Sequence, residues 1–401
     1  PRERKTLHYA AVCGKDFSYR LLEALTDLSP NALQDSLDTL RQADLVYELQ
    51  RFPELEFTFK HALTHDVAYE QSLLSERKQI HGEVVEVLEQ LWRGRTKEIV
   101  EPLARHAHRA EDWEKAARYG YEAGLKAVDH SAFDKAASFC EEALIALDFL
   151  DNDIDHIRLG IDIRKSLRPI YSALNKAKEA LARLNQARDL CERIDDKERL
   201  FDVLLHSSFL LSTFIQFDRA VELAEQLEVL AQEAGAQRYV AEARMAKAQA
   251  YLIVSTPLPA IDLIRDFEDE FTVQWRRERF GLVATRSVWY FTQRCLATAL
   301  TGNFESAESN RAKAAAVAEE TGRTFDRFFV DYFSARLELS KGASPQLAAA
   351  LEQALKHNEY DKDIEPFFCW LLSCLGQTYF ELGLYDDAIE VLEDAIAPAT
   401  K

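Results

Sequence analysis

Near the end of the chain, apolar side chains return every three or four residues through two consecutive stretches, the spacing that lays one stripe along a helix. The stretches run from Phe367 to Leu382 and from Asp386 to Ala397, and Gly383-Leu384-Tyr385 joins them. Gly383 supplies the backbone freedom that a tight turn between antiparallel helices demands. Gly376, Ala388 and Ala395 put small residues where the helices would cross, with Tyr379 and Tyr385 expected to fill the gap between them. This pattern predicts a helical hairpin.

Earlier copies of the hairpin are weaker but regular. The first small residue of the second helix recurs as Ala136, Ala180, Ala220, Ala260 and Ala307, then as Leu347 and Ala388, in steps of 44, 40, 40, 47, 40 and 41 residues. An aromatic stands three residues before it at Phe133, Phe217 and Phe304, and a second alanine follows at Ala143 and Ala187. The unit resembles a tetratricopeptide repeat, whose period is about 34 residues, with each helix here longer by roughly a turn. A lone hairpin cannot bury its apolar face, so such units stack on their neighbours. The expected fold class is therefore all-α: a tetratricopeptide-like right-handed helical superhelix, its first helices lining a concave wall and its second helices outside.

The first hundred residues follow another pattern. Thr6 to Cys13 reads as a short apolar helix, and Ser18 to Leu25 as a second one capped by Ser18. Ser29-Pro30-Asn31 opens a third that runs to Gln42, with Leu33, Leu37 and Leu40 on one face. Leu45 to Leu49 and Leu55 to Phe59 alternate apolar and polar residues across a turn containing Pro53, the signature of a β-hairpin. Three helices and a hairpin make a small winged-helix domain. The boundaries expected are 1–75 for that domain, 76–130 for linker helices and a first atypical repeat, and 131–401 for the repeat superhelix.

Composition agrees with helices and narrows function. Gly (13) and Pro (10) are scarce among 401 residues, while 47% are hydrophobic and 29% charged. A formal net charge of −19 repels a phosphate backbone, and the third helix sets Asp35 and Asp38 against Arg41, so no nucleic acid is expected as a partner. The longest apolar stretch, Phe367 to Leu375, is far too short to span a membrane. Six scattered cysteines without a C-x-x-C pair read as thiols of a reducing, cytoplasmic protein. The chain opens at Pro1 without an initiator methionine and is expected to be part of a longer protein.

Catalytic chemistry is not legible. Gly14-Lys15-Asp16 lacks the spacing and the hydroxyl residue of a phosphate-binding loop, and no Ser-His-Asp set or loop-borne carboxylate pair is evident, so the chain is not expected to be an enzyme. His61 and His65 share one helical face, but Ala62 stands where the zinc-protease motif needs Glu and no third ligand is apparent, so no metal is expected; His65 reads as exposed. His106 and His108, two apart, point to different sides of a helix.

After the hairpin comes Phe57-Thr-Phe-Lys60-His61-Ala-Leu-Thr-His65-Asp66-Val-Ala-Tyr69. This run resembles the winged-helix segment of STAND-class signalling ATPases, above all the cyclase-linked and MalT-like groups, and Ser75 to His81 and Trp113 to Ala117 resemble their linker and first repeats. The resemblance implies that His61, beside Lys60, contacts the phosphates of ADP or ATP held by an upstream ATPase module, and that the two modules touch within one longer protein. Ala62 departs from the acidic residue the family places after its histidine. No cofactor is expected in this chain itself.

The repeats carry the other candidate site. Trp289, Tyr332 and Trp370 fall on first helices of successive units, interleaved with Arg286, Arg294 and Arg336. Aromatics at such spacing also serve as core filler. Trp289, Arg294, Tyr332, Arg336, Trp370 and Gln377 are the expected groove residues, suited to a protein, a peptide or a small anionic signal ligand. The function expected is the sensor region of a STAND-type signalling ATPase. A free-standing repeat adaptor and the sensor part of a MalT-like transcription activator are the alternatives.

Overall fold

The computed structural model describes residues 2–52, 54–130, 132–213, 216–280, 284–358 and 367–396. The chain forms two compact units, Pro1–Ile170 and Tyr171–Lys401.

The first unit opens with α1 (Arg2–Cys13), β1 (Asp16–Ser18), α2 (Tyr19–Leu25), α3 (Pro30–Gln42), β2 (Val46–Gln50) and β3 (Glu56–Phe59). The strands form an antiparallel sheet in the order β1-β3-β2, which with the three helices is a winged helix. The expected caps are made: the Leu21 amide donates to Ser18 Oγ at 3.3 Å and the Ala32 amide to Ser29 Oγ at 3.4 Å, with Pro30 in the first turn of α3. Strand β1 was not expected, because three residues are too few to show alternation. Its register sets Phe17 opposite Phe57, and these rings with Phe59, Leu22, Leu33 and Leu37 form the small core. Helix α1 also starts earlier than Thr6, at Arg2. Pro53 lies outside the described residues.

There follow α4 (Ala62–Glu70), α5 (Leu74–Leu91), a 3-10 turn (Thr96–Ile99), α6 (Val100–Ala110), α7 (Trp113–Asp129), α8 (Phe133–Leu147) and α9 (Ile154–Ala173). The α7–α8 hairpin is the tightest of these. A Cβ added at Gly120 would lie 3.1 Å from that of Ala143, and one at Gly124 would lie 2.5 Å from Cys140 Sγ. Small residues on both faces let the backbones close up.

The second unit runs through α10 (Ala177–Arg193), α11 (Lys197–Thr213), α12 (Phe217–Glu233), α13 (Gln237–Ile253), α14 (Pro257–Arg265), α15 (Arg286–Leu300), α16 (Phe304–Thr321), α17 (Thr324–Lys341), α18 (Pro345–Asn358), α19 (Phe368–Glu381) and α20 (Tyr385–Ile396). The recurrent positions Ala180, Ala220, Ala260, Ala307, Leu347 and Ala388 all lie in the first turn of a second helix and are all buried, as is Ala136 in α8. Successive first helices α11, α13, α15, α17 and α19 touch one another and make an inner layer. The long step from Ala260 to Ala307 has a local cause: α14 is short and is followed by a π-helical turn at Glu270–Gln274 before α15 begins. The fold is all-α, tetratricopeptide-like hairpins behind a winged helix.

One packing expectation is corrected. Tyr385 does not fill the gap beside Gly376; it is 59% exposed and meets only the edge of Phe380 among the described ring contacts. As the first residue of α20 it sits about two turns before Leu392, the residue that meets Gly376. Leu392 takes the space over Gly376 instead, and Tyr379, half-buried against the core of this hairpin, donates to Glu352 Oε1 at 2.6 Å.

Candidate functional site

His61 is the N-cap of α4, with extended backbone (φ −130°, ψ 140°) and an exposed side chain that makes no capping bond. Its carbonyl accepts from the Thr64 and His65 amides. Lys60, directly after the wing strand β3, is exposed and pairs with Asp44 at 2.7 Å. The resemblance thus falls on a solvent-facing imidazole beside a cation, at the positive end of a helix.

His65 is not the exposed residue the sequence suggested. Its Nε2 donates to the Ala11 carbonyl at 3.0 Å, and its ring lies between Phe59 and Tyr69. From there a buried polar chain runs inward. Tyr69 Oη hydrogen-bonds His81 Nε2 at 3.1 Å, and His81 Nδ1 faces His106 Nδ1 at 2.8 Å. Burial first, then the neighbouring Arg109 and Arg77, push the His81 imidazole down to about 4. Burial, His81 and Arg105 push His106 down to about 3. Both rings are therefore neutral near pH 7, and one Nδ1–H donates to the other Nδ1. Sequence spacing compared His106 with His108, which instead meets Trp113 edge-on. The partner was His81, 25 residues away on α5, and only the packing of α5 on α6 brings the two together.

The predicted groove residues occupy the inner layer of the second unit, in four separate settings. Trp289 is buried beneath Phe209 of α11, their centroids 4.5 Å apart, with the Arg286 guanidinium 4.2 Å from the indole centroid. Its Nε1–H has no partner among the described residues. Arg294 donates to Glu268 Oε2 at 2.6 Å and to the Tyr290 hydroxyl at 2.8 Å, so its charge is answered locally. Tyr332, Arg336 and Trp370 do come together: the two rings are 5.3 Å apart and Arg336 Nη1 donates to the Tyr332 hydroxyl at 3.0 Å. Burial raises the Tyr332 phenol above its ordinary range, so it is neutral. Gln377 is exposed and donates to Glu381 at 2.9 Å.

Three inward-facing arginines thus differ in how their charge is met. Arg286 pairs with Glu242 at 3.1 Å, both side chains fully buried. Burial raises the Glu242 carboxyl while Arg286 opposes that rise, and Glu242 Oε1 and Arg286 Nε have no hydrogen-bond partners among the described residues. Arg294 pairs with Glu268. Arg336, half-buried, has no carboxylate partner among the described residues. Sequence reasoning missed the Arg286–Glu242 pair. Its trace is Glu242 between two alanines in the run Val240 to Ala246, followed 44 residues later by an Arg opening the next inner helix. Among the described residues, no group of three or more His, Cys, Asp or Glu side chains could hold a metal ion.

No protein-family model matches the chain, and no curated protein matches it. Solved structures do share its fold. The Rap conjugation gene regulator of the plasmid pLS20, in complex with a Phr peptide, is 15% identical with a TM-score of 0.55, covering 82% of this chain and 91% of its own. A Rap protein complexed with competence and sporulation factor is 13% identical with a TM-score of 0.55, covering 99% of this chain and 98% of its own. Aspartyl phosphate phosphatase F from Bacillus subtilis is 12% identical with a TM-score of 0.57, covering 100% of this chain and 94% of its own. At these identities the likeness is one of fold.

Proposed function

We propose that this chain is the ligand-sensing region of a STAND-type signalling ATPase, and that it takes a peptide with an acidic group on the inner layer of its second unit. The observation that carries the reading is Arg336. A half-buried guanidinium without a carboxylate partner among the described residues, set beside the Tyr332–Trp370 pair, offers charge and an aromatic face to an incoming group. The neighbouring inner arginines are neutralised by Glu242 and Glu268, so Arg336 is where an external anion gains most. Two of the solved structures that share the fold are described as complexes with peptide or factor, which supports a peptide as the ligand class.

Support for the STAND reading is local. His61 stands exposed at the start of α4, directly after the wing strand, where an upstream nucleotide module could reach it. The coding sequence upstream of Pro1 tests this part: a phosphate-binding loop supports it, and the lack of one leaves the free-standing adaptor. For the peptide part, random displayed peptides are selected on the chain. Enriched peptides should carry Asp, Glu or a free C-terminus, and Arg336→Gln should weaken them on the order of tenfold. Peptides that bind the Arg336→Gln and Trp370→Ala variants as well as the parent would overturn the assignment.

A further inference from the structure

A cavity lies in the first unit, away from both candidate sites. It is a cleft of about 520 Å³ between α1 and the junction of α4 with α5. This is the size range of pockets that hold small organic molecules. Arg4 and Lys5, both exposed, stand on its α1 side, and the N-terminus of the 18-residue helix α5 opens onto it at Leu73. Tyr9, Leu73 and Ile80 supply apolar wall.

Two of its lining residues hold polar atoms with no hydrogen-bond partner among the described residues. Ser72 is 4% exposed and its hydroxyl has no partner, and the buried Nε2 of His8 has none either. A buried hydroxyl or imidazole left unsatisfied costs free energy that a suitable ligand recovers. The lining carboxylate is Glu76, whose Oε2 already accepts the Leu73 amide at 3.2 Å as the helix cap. Glu76 keeps its negative charge, and against it the cleft sets two cations, a helix N-terminus and an unused hydroxyl, which together suit an anionic group.

We propose that this cleft binds a small organic phosphate, its phosphate held by Arg4, Lys5, Ser72 and the start of α5 and its organic part against Tyr9 and Ile80. Inorganic phosphate alone leaves the apolar wall and most of the volume unused. The cleft is distinct from the His61 position, because it sits at the opposite end of α4, roughly 13 Å along that helix. A ligand there touches α1 of the winged helix and α5 beyond it at once, and so fixes one to the other.

The test is calorimetric titration of the whole chain with phenyl phosphate, with inorganic phosphate and phenol as controls. Phenyl phosphate should bind saturably at or below about 1 mM and at least tenfold more tightly than either control. The double variant Arg4→Gln/Lys5→Gln, at exposed positions that leave the fold intact, should lose at least about tenfold in affinity. Ser72→Ala should weaken binding less, and hydrogen exchange should slow at α1 and at Gln71 to Gln79 when the ligand is present. Titration with no saturable heat, equal binding of inorganic phosphate, or affinity unchanged in the double variant each overturns the assignment.

Discussion

The Nδ1 atoms of His81 and His106 face one another at 2.8 Å in the interior of the first unit, with Tyr69 bonded to the far side of His81. Protonating the ring that accepts breaks the donor–acceptor match between them, and protonating either places a cation near Arg77 and Arg109. Folded pKa values of about 4 and about 3 lie below the ordinary imidazole value near 6.5. As pH falls, the unfolded chain therefore takes up these protons first. The pair's contribution to stability is present above pH 6.5 and is lost between there and about pH 3, the lower of the two folded values. Urea unfolding should show a loss of about 2–4 kcal/mol between pH 7.5 and 5, and the double variant His81→Gln/His106→Gln should flatten that slope. Parallel slopes in the two proteins would assign the acid sensitivity elsewhere.

Two glycines at helix crossings should respond differently to the same substitution. At Gly124 a Cβ meets Cys140 Sγ at 2.5 Å and the Ala136 carbonyl at 3.3 Å, both inside a closely packed hairpin. At Gly376 it meets the end of the Leu392 side chain at 2.6 Å, and Leu392 is 37% exposed and can turn aside. Gly124→Ala should cost about 1–3 kcal/mol, and Gly376→Ala clearly less, while Gly376→Leu should reach the same range. Thermal unfolding of the three variants ranks them.

The Arg286–Glu242 pair should show strong coupling. Arg286→Met leaves a buried carboxylate without its cation, which costs about 3–5 kcal/mol. The double variant Arg286→Met/Glu242→Gln should recover most of that loss, since neither residue then holds a buried charge. Additive losses in a double-mutant cycle would mean that the two act independently.

His61→Ala should leave the stability of this chain unchanged, because the exposed ring makes no capping bond. Joined to a nucleotide-binding ATPase module, the same change should speed ADP release on the order of tenfold, the worth of one charge-assisted contact. An unaltered ADP dissociation rate would make the histidine a helix-start residue only.

Most of the fold was legible because its signals are local. Ser18 and Ser29 announced their helices, the β-hairpin alternated, and Ala180 to Ala388 marked second helices by the small side chain that a close crossing needs. Strand β1 escaped because three residues carry no period, and the π-helical turn at Glu270–Gln274 because nothing in its composition announces it. The site was legible only in part. Tyr332, Arg336 and Trp370 could be placed on inner helices by phase alone. Whether an inner arginine is already neutralised depends on residues far away in sequence, as Glu242 is from Arg286, and no periodicity reports that.

The most direct measurement is hydrogen exchange on the whole chain with and without a peptide selected on it. Exchange should slow along the inner helices α17 and α19 around Tyr332, Arg336 and Trp370, and the slowing should vanish in Arg336→Gln at the same peptide concentration. Protection confined to the outer helices α16, α18 and α20, or to the winged helix, or protection that survives Arg336→Gln, would contradict an inner-layer peptide sensor.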